Sequence, residues 1–151
     1  MTVTHSTFTL ERHFAAPIER VFEAWADPAA RRRWMAGGAD HEQDFVVGGH
    51  ETVRGFDGQG RALTHDAVYV DIVPEERILT TSTLHAEDQL STVSTTSIEF
   101  VTEEAGTLVT LTEHGIHLPG EEQPEWRKQG TAQQLDTLVA EFTATTTPEE
   151  N

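Results

Sequence analysis

The stretch Pro124-Glu-Trp-Arg-Lys-Gln-Gly-Thr-Ala-Gln-Gln-Leu-Asp-Thr-Leu-Val-Ala-Glu-Phe142 decides the fold. Its apolar residues Leu135, Leu138, Val139 and Phe142 recur at i, i+3, i+4 and i+7, one face of an α-helix. Trp126 and Ala132 extend that side upstream. At ~1.5 Å per residue the helix spans ~28 Å, enough to cross a whole sheet. The rest of the chain supplies the sheet. Segments Asp40–Val47, Glu51–Phe56, Ala62–Val73, Arg77–Leu84, Ser91–Thr102 and Thr107–His114 are rich in Thr, Val, Ile and Phe. Short turns separate them, such as Gly48-Gly49, Asp57-Gly58-Gln59-Gly60 and Val73-Pro74-Glu75-Glu76. That spacing predicts an antiparallel meander with short connections.

Upstream, Thr4 to His13 alternates and reads as a first strand. Pro17 then favours a helix start, and Ile18, Val21, Phe22 and Trp25 form its apolar stripe. Asp27-Pro28 repeats the start signal for a second short helix, about Pro28 to Met35, stopped by Gly37-Gly38. The order is one strand, two short helices, about six strands and one long helix. An apolar sheet face must be buried, and the C-terminal helix is long enough to cover it. The expected class is α+β: a curved antiparallel sheet of six or seven strands wrapped around that helix. One helix cannot fill such a curve, so a ligand cavity is expected between them. A single domain is expected over 1–144, with a flexible polar tail over 145–151.

Composition narrows the function. The chain has 151 residues, with 36% apolar and 24% charged residues. Ten Lys+Arg against 26 Asp+Glu give a net charge of −16. Such a chain does not track phosphates or dock on anionic lipid, so no nucleic-acid or membrane partner is expected. No cysteine is present, which removes thiol nucleophiles, disulfides and Cys-based zinc sites. The N-terminal residues lack the pattern of a secretory signal, so a cytoplasmic protein is expected. The bias to Arg over Lys, with abundant Thr, suggests a GC-rich bacterial source.

Six pieces in order resemble the activators of the heat-shock-90 ATPase and their homologues. They are Val21-Phe22-Glu23-Ala24-Trp25-Ala26-Asp27-Pro28 with Trp34-Met35; Asp44-Phe45-Val46-Val47-Gly48-Gly49; Phe56-Asp57-Gly58; Tyr69-Val70-Asp71-Ile72-Val73-Pro74-Glu75-Glu76-Arg77-Ile78; Leu111-Thr112-Glu113-His114-Gly115; and Gly130 with Leu135. The resemblance runs from about Thr7 to Phe142. It implies the helix-grip fold of the START-like superfamily called SRPBCC, which includes polyketide cyclases and birch-pollen-type allergens. Thr131 departs from it, standing where that family commonly has Trp, and implies a roomier cavity. The family spans ligand binding, cyclisation and partner-protein regulation, so fold alone does not choose among them.

The candidate chemistry is thin. His41-Glu42 opens like a zincin motif but lacks the second His. His114 and His117 point to opposite faces if their strand continues and could meet through a loop if it ends at Gly115; a good site needs three or four convergent ligands, so no metal and no cofactor are expected. Ser91, Ser94 and Ser97 read as hydroxyls on a half-exposed strand face, with no nucleophile elbow around them. His50, Glu51, Arg54, His65, Tyr69, Asp71, Glu113 and His114 lie on strands that border the cavity, though a charged meander face is more often solvated. Alternation on the fourth strand predicts Val68, Val70 and Ile72 facing in, with Tyr69 and Asp71 outside; if the faces are reversed, Tyr69 points in. Arg31-Arg32-Arg33 spreads around a helix and reads as solvated surface, with a contact to an acidic ligand or a homodimer salt bridge as its other use. Trp25 reads as core.

The leading expectation is a binding module for a small apolar or aromatic molecule. Its candidate ligand-binding residues are Val53, Val70, Ile98 and Leu111 on strand faces, Leu135 facing them, and Trp34, Met35 and Trp126 around the opening. The alternatives are an enzyme of the same fold, a polyketide cyclase or lyase using a pocket acid or base, and a chaperone-regulating interaction domain. Two or more ionisable groups meeting in the cavity would favour the enzyme; a purely apolar cavity would favour binding.

Overall fold

A computed structural model describes residues 2–146, with side chains through residue 143. The chain runs β1 (Thr4–Phe14), α1 (Ile18–Ala26), α2 (Pro28–Arg31) continued by a π-helical turn over Arg32–Ala36, then β2 (Asp40–Gln43) and β3 (His50–Phe56). It ends with β4 (Ala62–Val73), β5 (Arg77–Ala86), β6 (Gln89–Glu103), β7 (Gly106–His117) and α3 (Pro124–Thr146). The seven strands form one antiparallel sheet in the order β1-β7-β6-β5-β4-β3-β2. With α3 laid against its inner face, this is the α+β helix-grip fold.

Local chemistry explains the elements. The Asp27 side chain accepts the Ala30 N–H at 3.2 Å and Pro28 follows it, so α2 begins on a capped and pre-set first turn. Val21, Phe22, Ala24 and Trp25 are the buried stripe of α1. Their aromatic rings meet Phe45, Phe100 and Trp34 edge-on, with centroids 4.9 to 5.9 Å apart. Leu135 and Leu138 seat α3 at 1% exposure each, and Phe142 meets Phe14 at 5.3 Å.

Two boundaries and one strand face differ most from the expectation. β2 stops at Gln43, because Asp44 to Gly49 turns back on itself through Val46 N–H to Asp44 O and Gly49 N–H to Val46 O. A Cβ on Gly49 would strike the Asp44 carbonyl, so the turn requires glycine there. α3 continues past Phe142 to Thr146, through the first two residues of the expected tail; residues 147–151 lie outside those described.

The third difference is the face of β4. Val70 is 48% exposed, while Tyr69 is 3% exposed and faces the core. The register of β4 on β5 shifts between Tyr69 and Asp71. Val70 is therefore the extra residue of a β-bulge, and parity changes across it. Ala67 and Tyr69 face in before the bulge, and Ile72 packs on the core after it. Treating Val68, Val70 and Ile72 as one face ran the alternation through that extra residue.

Candidate functional site: a banded cavity under the C-terminal helix

A cavity of about 350 Å³ lies between α3, the π-helical turn and the concave face of the sheet. The strand register lays its floor in bands. Ile78, Ile98 and Leu111 pair across β5, β6 and β7 as an apolar rung. The next rung is polar: Tyr69, Thr80, Thr96 and Glu113. Glu51, Ala67, Ser82 and Ser94 follow, then Val53, His65 and Leu84. Period-2 geometry makes the bands, since each inward row is two residues from the next.

The polar rungs are internally bonded. Arg31 clasps Glu51 with both prongs, Nε to Oε2 at 2.8 Å and Nη2 to Oε1 at 3.0 Å. The buried His41 ring donates from Nε2 to the same carboxylate at 2.9 Å, and its Nδ1 has no partner. The Arg31 guanidinium also lies over the Trp34 ring, 4.9 Å from its centre. Across the floor, Arg127 Nε reaches Glu113 Oε2 at 2.7 Å, and Thr96 donates to Glu113 Oε1 at 3.0 Å. Arg127 Nη2 donates to Ser94 at 3.2 Å, and Ser94 and Ser82 bond each other at 2.8 Å. Gln43 Nε2 donates to the Tyr69 hydroxyl at 2.8 Å.

These surroundings move the proton affinities. Burial works to raise the Glu51 carboxyl, but Arg31 and the His41 hydrogen bond outweigh it and hold its pKa at about 2. Burial, helped by the charge of Arg127, lowers His65 to about 4, so its imidazole is neutral at pH 7. Burial pushes the Tyr69 phenol up to about 12. Burial also raises Glu122, whose Oε1 stands 3.8 Å from Arg127.

Of the eight candidate residues, Trp34, Met35, Val53, Ile98, Leu111, Trp126 and Leu135 line this cavity. Val70 does not, because the bulge turns it outward. Trp34 is buried in the wall rather than set at the opening, its indole N–H bonded to Ala24 O at 2.8 Å. Trp126 is 59% exposed and stands between the cavity and an adjoining groove that includes Asp57, His117 and Pro124. The border residues divide by parity. Glu51, His65, Tyr69 and Glu113 face in, while His50, Arg54, Asp71 and His114 make their contacts on other faces.

Two expectations are corrected. The Arg cluster is not solvated surface throughout: Arg31 enters the cavity, Arg32 bonds the His41 carbonyl and Arg33 reaches Glu141. Ser91 and Ser94 are buried rather than half-exposed. β7 continues through His117, so His114 and His117 diverge, to Thr7 and to Ser6. Among the described residues, no three His, Asp or Glu converge to hold a metal ion. Arg127 escaped the sequence reading, although Arg127, Thr131, Gln134 and Leu138 continue one helical stripe. None of the described helices is long and apolar enough to cross a membrane.

Known proteins place this architecture. A structure from Rhizobium leguminosarum is 36% identical, covers 95% of this chain and 97% of its own, and superposes with a TM-score of 0.89. The Mll3558 protein of Rhizobium loti is 38% identical over 93% of this chain and 99% of its own, with a TM-score of 0.87. A Chromobacterium violaceum protein, 27% identical over 89% and 95% of the two chains, gives 0.73. No curated protein matches. The family model described as activator of Hsp90 ATPase homolog 1-like protein matches residues 15–143, and the chain belongs to that family.

Proposed function

We propose that this chain is a cytoplasmic binding protein for a small, largely apolar molecule held between its sheet and α3. The observation that carries the reading is the cavity, about 350 Å³ of space walled by Ile98, Leu111, Leu135 and Trp34 and bounded by Trp126. Arg31 with Glu51 and Arg127 with Glu113 already hold one another, and among the described cavity residues Glu122 alone keeps a carboxyl oxygen without a hydrogen bond. An apolar fluorescent probe should bind the folded protein and quench Trp fluorescence. Leu135→Trp should fill the space and abolish that binding. A probe that binds the filled variant equally well places the site elsewhere. Native mass spectrometry of protein purified without denaturation should find a retained small molecule.

The enzyme reading has an observation in its favour, because Arg31, Glu51, His65, Glu113, Glu122 and Arg127 do meet in the cavity. Their tuning supports binding instead. A catalytic acid or base works best with a pKa near the operating pH. Glu51 at about 2, His65 at about 4 and Tyr69 at about 12 have all moved away from neutrality. Glu122, raised by burial, is the group an acid-catalysed step would use. Turnover of a cyclisable polyketone, lost in Glu122→Gln, would favour the enzyme. A chaperone-regulating role draws on the family description alone.

A further inference from the structure

We infer that His65 selects the ligand of this cavity, and that the ligand is an uncharged molecule with an apolar body and a hydroxyl or carbonyl group. The inference rests on the binding reading above and adds the ligand's polarity and its recognition point.

Most polar groups of the cavity already hold a partner. Arg31 and Glu51 occupy each other, as do Arg127 and Glu113. Glu122 stands 3.8 Å from Arg127, and its buried Oε1 makes no hydrogen bond. Ser82 and Ser94 are mutually bonded, and the Tyr69 hydroxyl is held by Gln43. His65 lines the cavity from β4 between Val53 and Leu84, and no side-chain hydrogen bond reaches its ring among the described residues. Thr80, two rungs deeper on β5, is likewise a lining hydroxyl with no such bond. A polar group facing an apolar guest loses hydrogen bonding that water supplied, so the guest that fits best returns it. The neutral imidazole serves either sense, donating from one nitrogen and accepting at the other.

Charge is excluded on the same ground. A carboxylate entering this space would lose its hydration and find both cations engaged; an ammonium would find Glu51 and Glu113 paired and only Glu122 short of a hydrogen bond, a carboxyl whose burial disfavours its charged form. An uncharged hydroxyl or carbonyl meets the imidazole at no such cost. The flanking Val53 and Leu84, with the Trp126 ring above the mouth, leave apolar surface for the body of the guest.

Four probes on one ring system test this: naphthalene, 2-naphthol, 2-naphthoate and 2-naphthylmethylammonium, titrated against the full chain by fluorescence. 2-Naphthol should bind about tenfold tighter than naphthalene, the worth of one hydrogen bond to a buried partner. Both charged probes should bind at least about tenfold more weakly than 2-naphthol. His65→Leu should erase the advantage of 2-naphthol over naphthalene, and His65→Gln should keep part of it. In the unaltered protein, the His65 ring nitrogen resonances should move with 2-naphthol and stay with naphthalene, which tests the contact even if a variant folds poorly. An advantage that survives His65→Leu, a charged probe that binds tightest, or a silent His65 ring overturns the inference. If naphthalene binds and 2-naphthol gains nothing, the inference alone fails. If neither binds, the cavity reading fails with it.

Discussion

The two halves of α3 share one helix and one periodicity, yet do different work. In the C-terminal half, Leu135 and Leu138 are almost wholly buried, and Val139 and Phe142 pack at the core's edge. In the N-terminal half, the same stripe carries Arg127, Thr131 and Gln134. Arg127 is tied to Glu113, the Thr131 hydroxyl turns back to the Arg127 carbonyl, and Gln134 bonds the Met35 carbonyl. A Cβ on Gly130 would meet nothing within 4 Å. One half fills the sheet's curve and the other spans it. The cavity exists because large apolar side chains give way, midway along the helix, to small or self-satisfied ones.

The largest effect should come from the anchoring half. Leu138→Ala should cost ~2–5 kcal/mol of stability by chemical denaturation, the range for removing a fully buried Leu side chain. A change below about 1 kcal/mol would erase the distinction between the halves.

The floor beneath the roofing half should answer to acid. Glu51 is lowered in the fold, so its contribution is full above its ordinary 4.5 and disappears as pH falls through about 2. His65 is a base lowered from 6.5 to about 4, so the unfolded chain takes its proton first. Stability therefore falls as pH drops through that interval, by ~1–3 kcal/mol. His65→Leu should flatten the loss between the two values and leave the more acidic limb. Denaturation midpoints measured across pH check both; an unchanged profile in the variant refutes the assignment to His65.

Thr131→Trp aims at the contrast itself. A large ring in the roofing half should occupy the cavity and weaken probe binding by about tenfold or more, while stability shifts by only ~1 kcal/mol. Probe affinity and thermal midpoint, measured together, separate filling from damage. Trp126→Ala should also weaken the probe, by ~1–3 kcal/mol if the indole is a stacking wall. Its effect on stability should stay within about 0.5 kcal/mol, as for other exposed positions.

What the sequence made legible follows the range of the interactions. The stripe of α1, the Asp27-Pro28 cap and the seat of Leu135 and Leu138 depend on residues within two turns of one another, and each is where its pattern implies. The Val70 error is also local, but a bulge is set by how β4 meets β5, and alternation within one strand does not record it. Arg31 shows the longer limit. Helical geometry says that Arg31, Arg32 and Arg33 diverge, but only the fold brings Glu51 of β3 under the first of them. Burial of Ser91 and Ser94 is invisible to alternation for a related reason: such hydroxyls are satisfied across strands, as Ser94 is by Ser82, so burial costs them little.

The sheet order also sets a schedule for assembly. β2 to β7 can be laid down hairpin by hairpin, each strand pairing with the one made just before it. β1 cannot, because its strand neighbour is β7, and Ser6 bonds a His117 that lies 111 positions away. On the ribosome the first strand made is thus the last to find its place, and Phe8 and Phe14 wait without their core until β7 has emerged. Closing so long a loop is slow relative to hairpin formation. A nascent chain halted before β7 would carry an unpaired edge on β6 and a stranded apolar segment at its front, the form of this protein most exposed to aggregation.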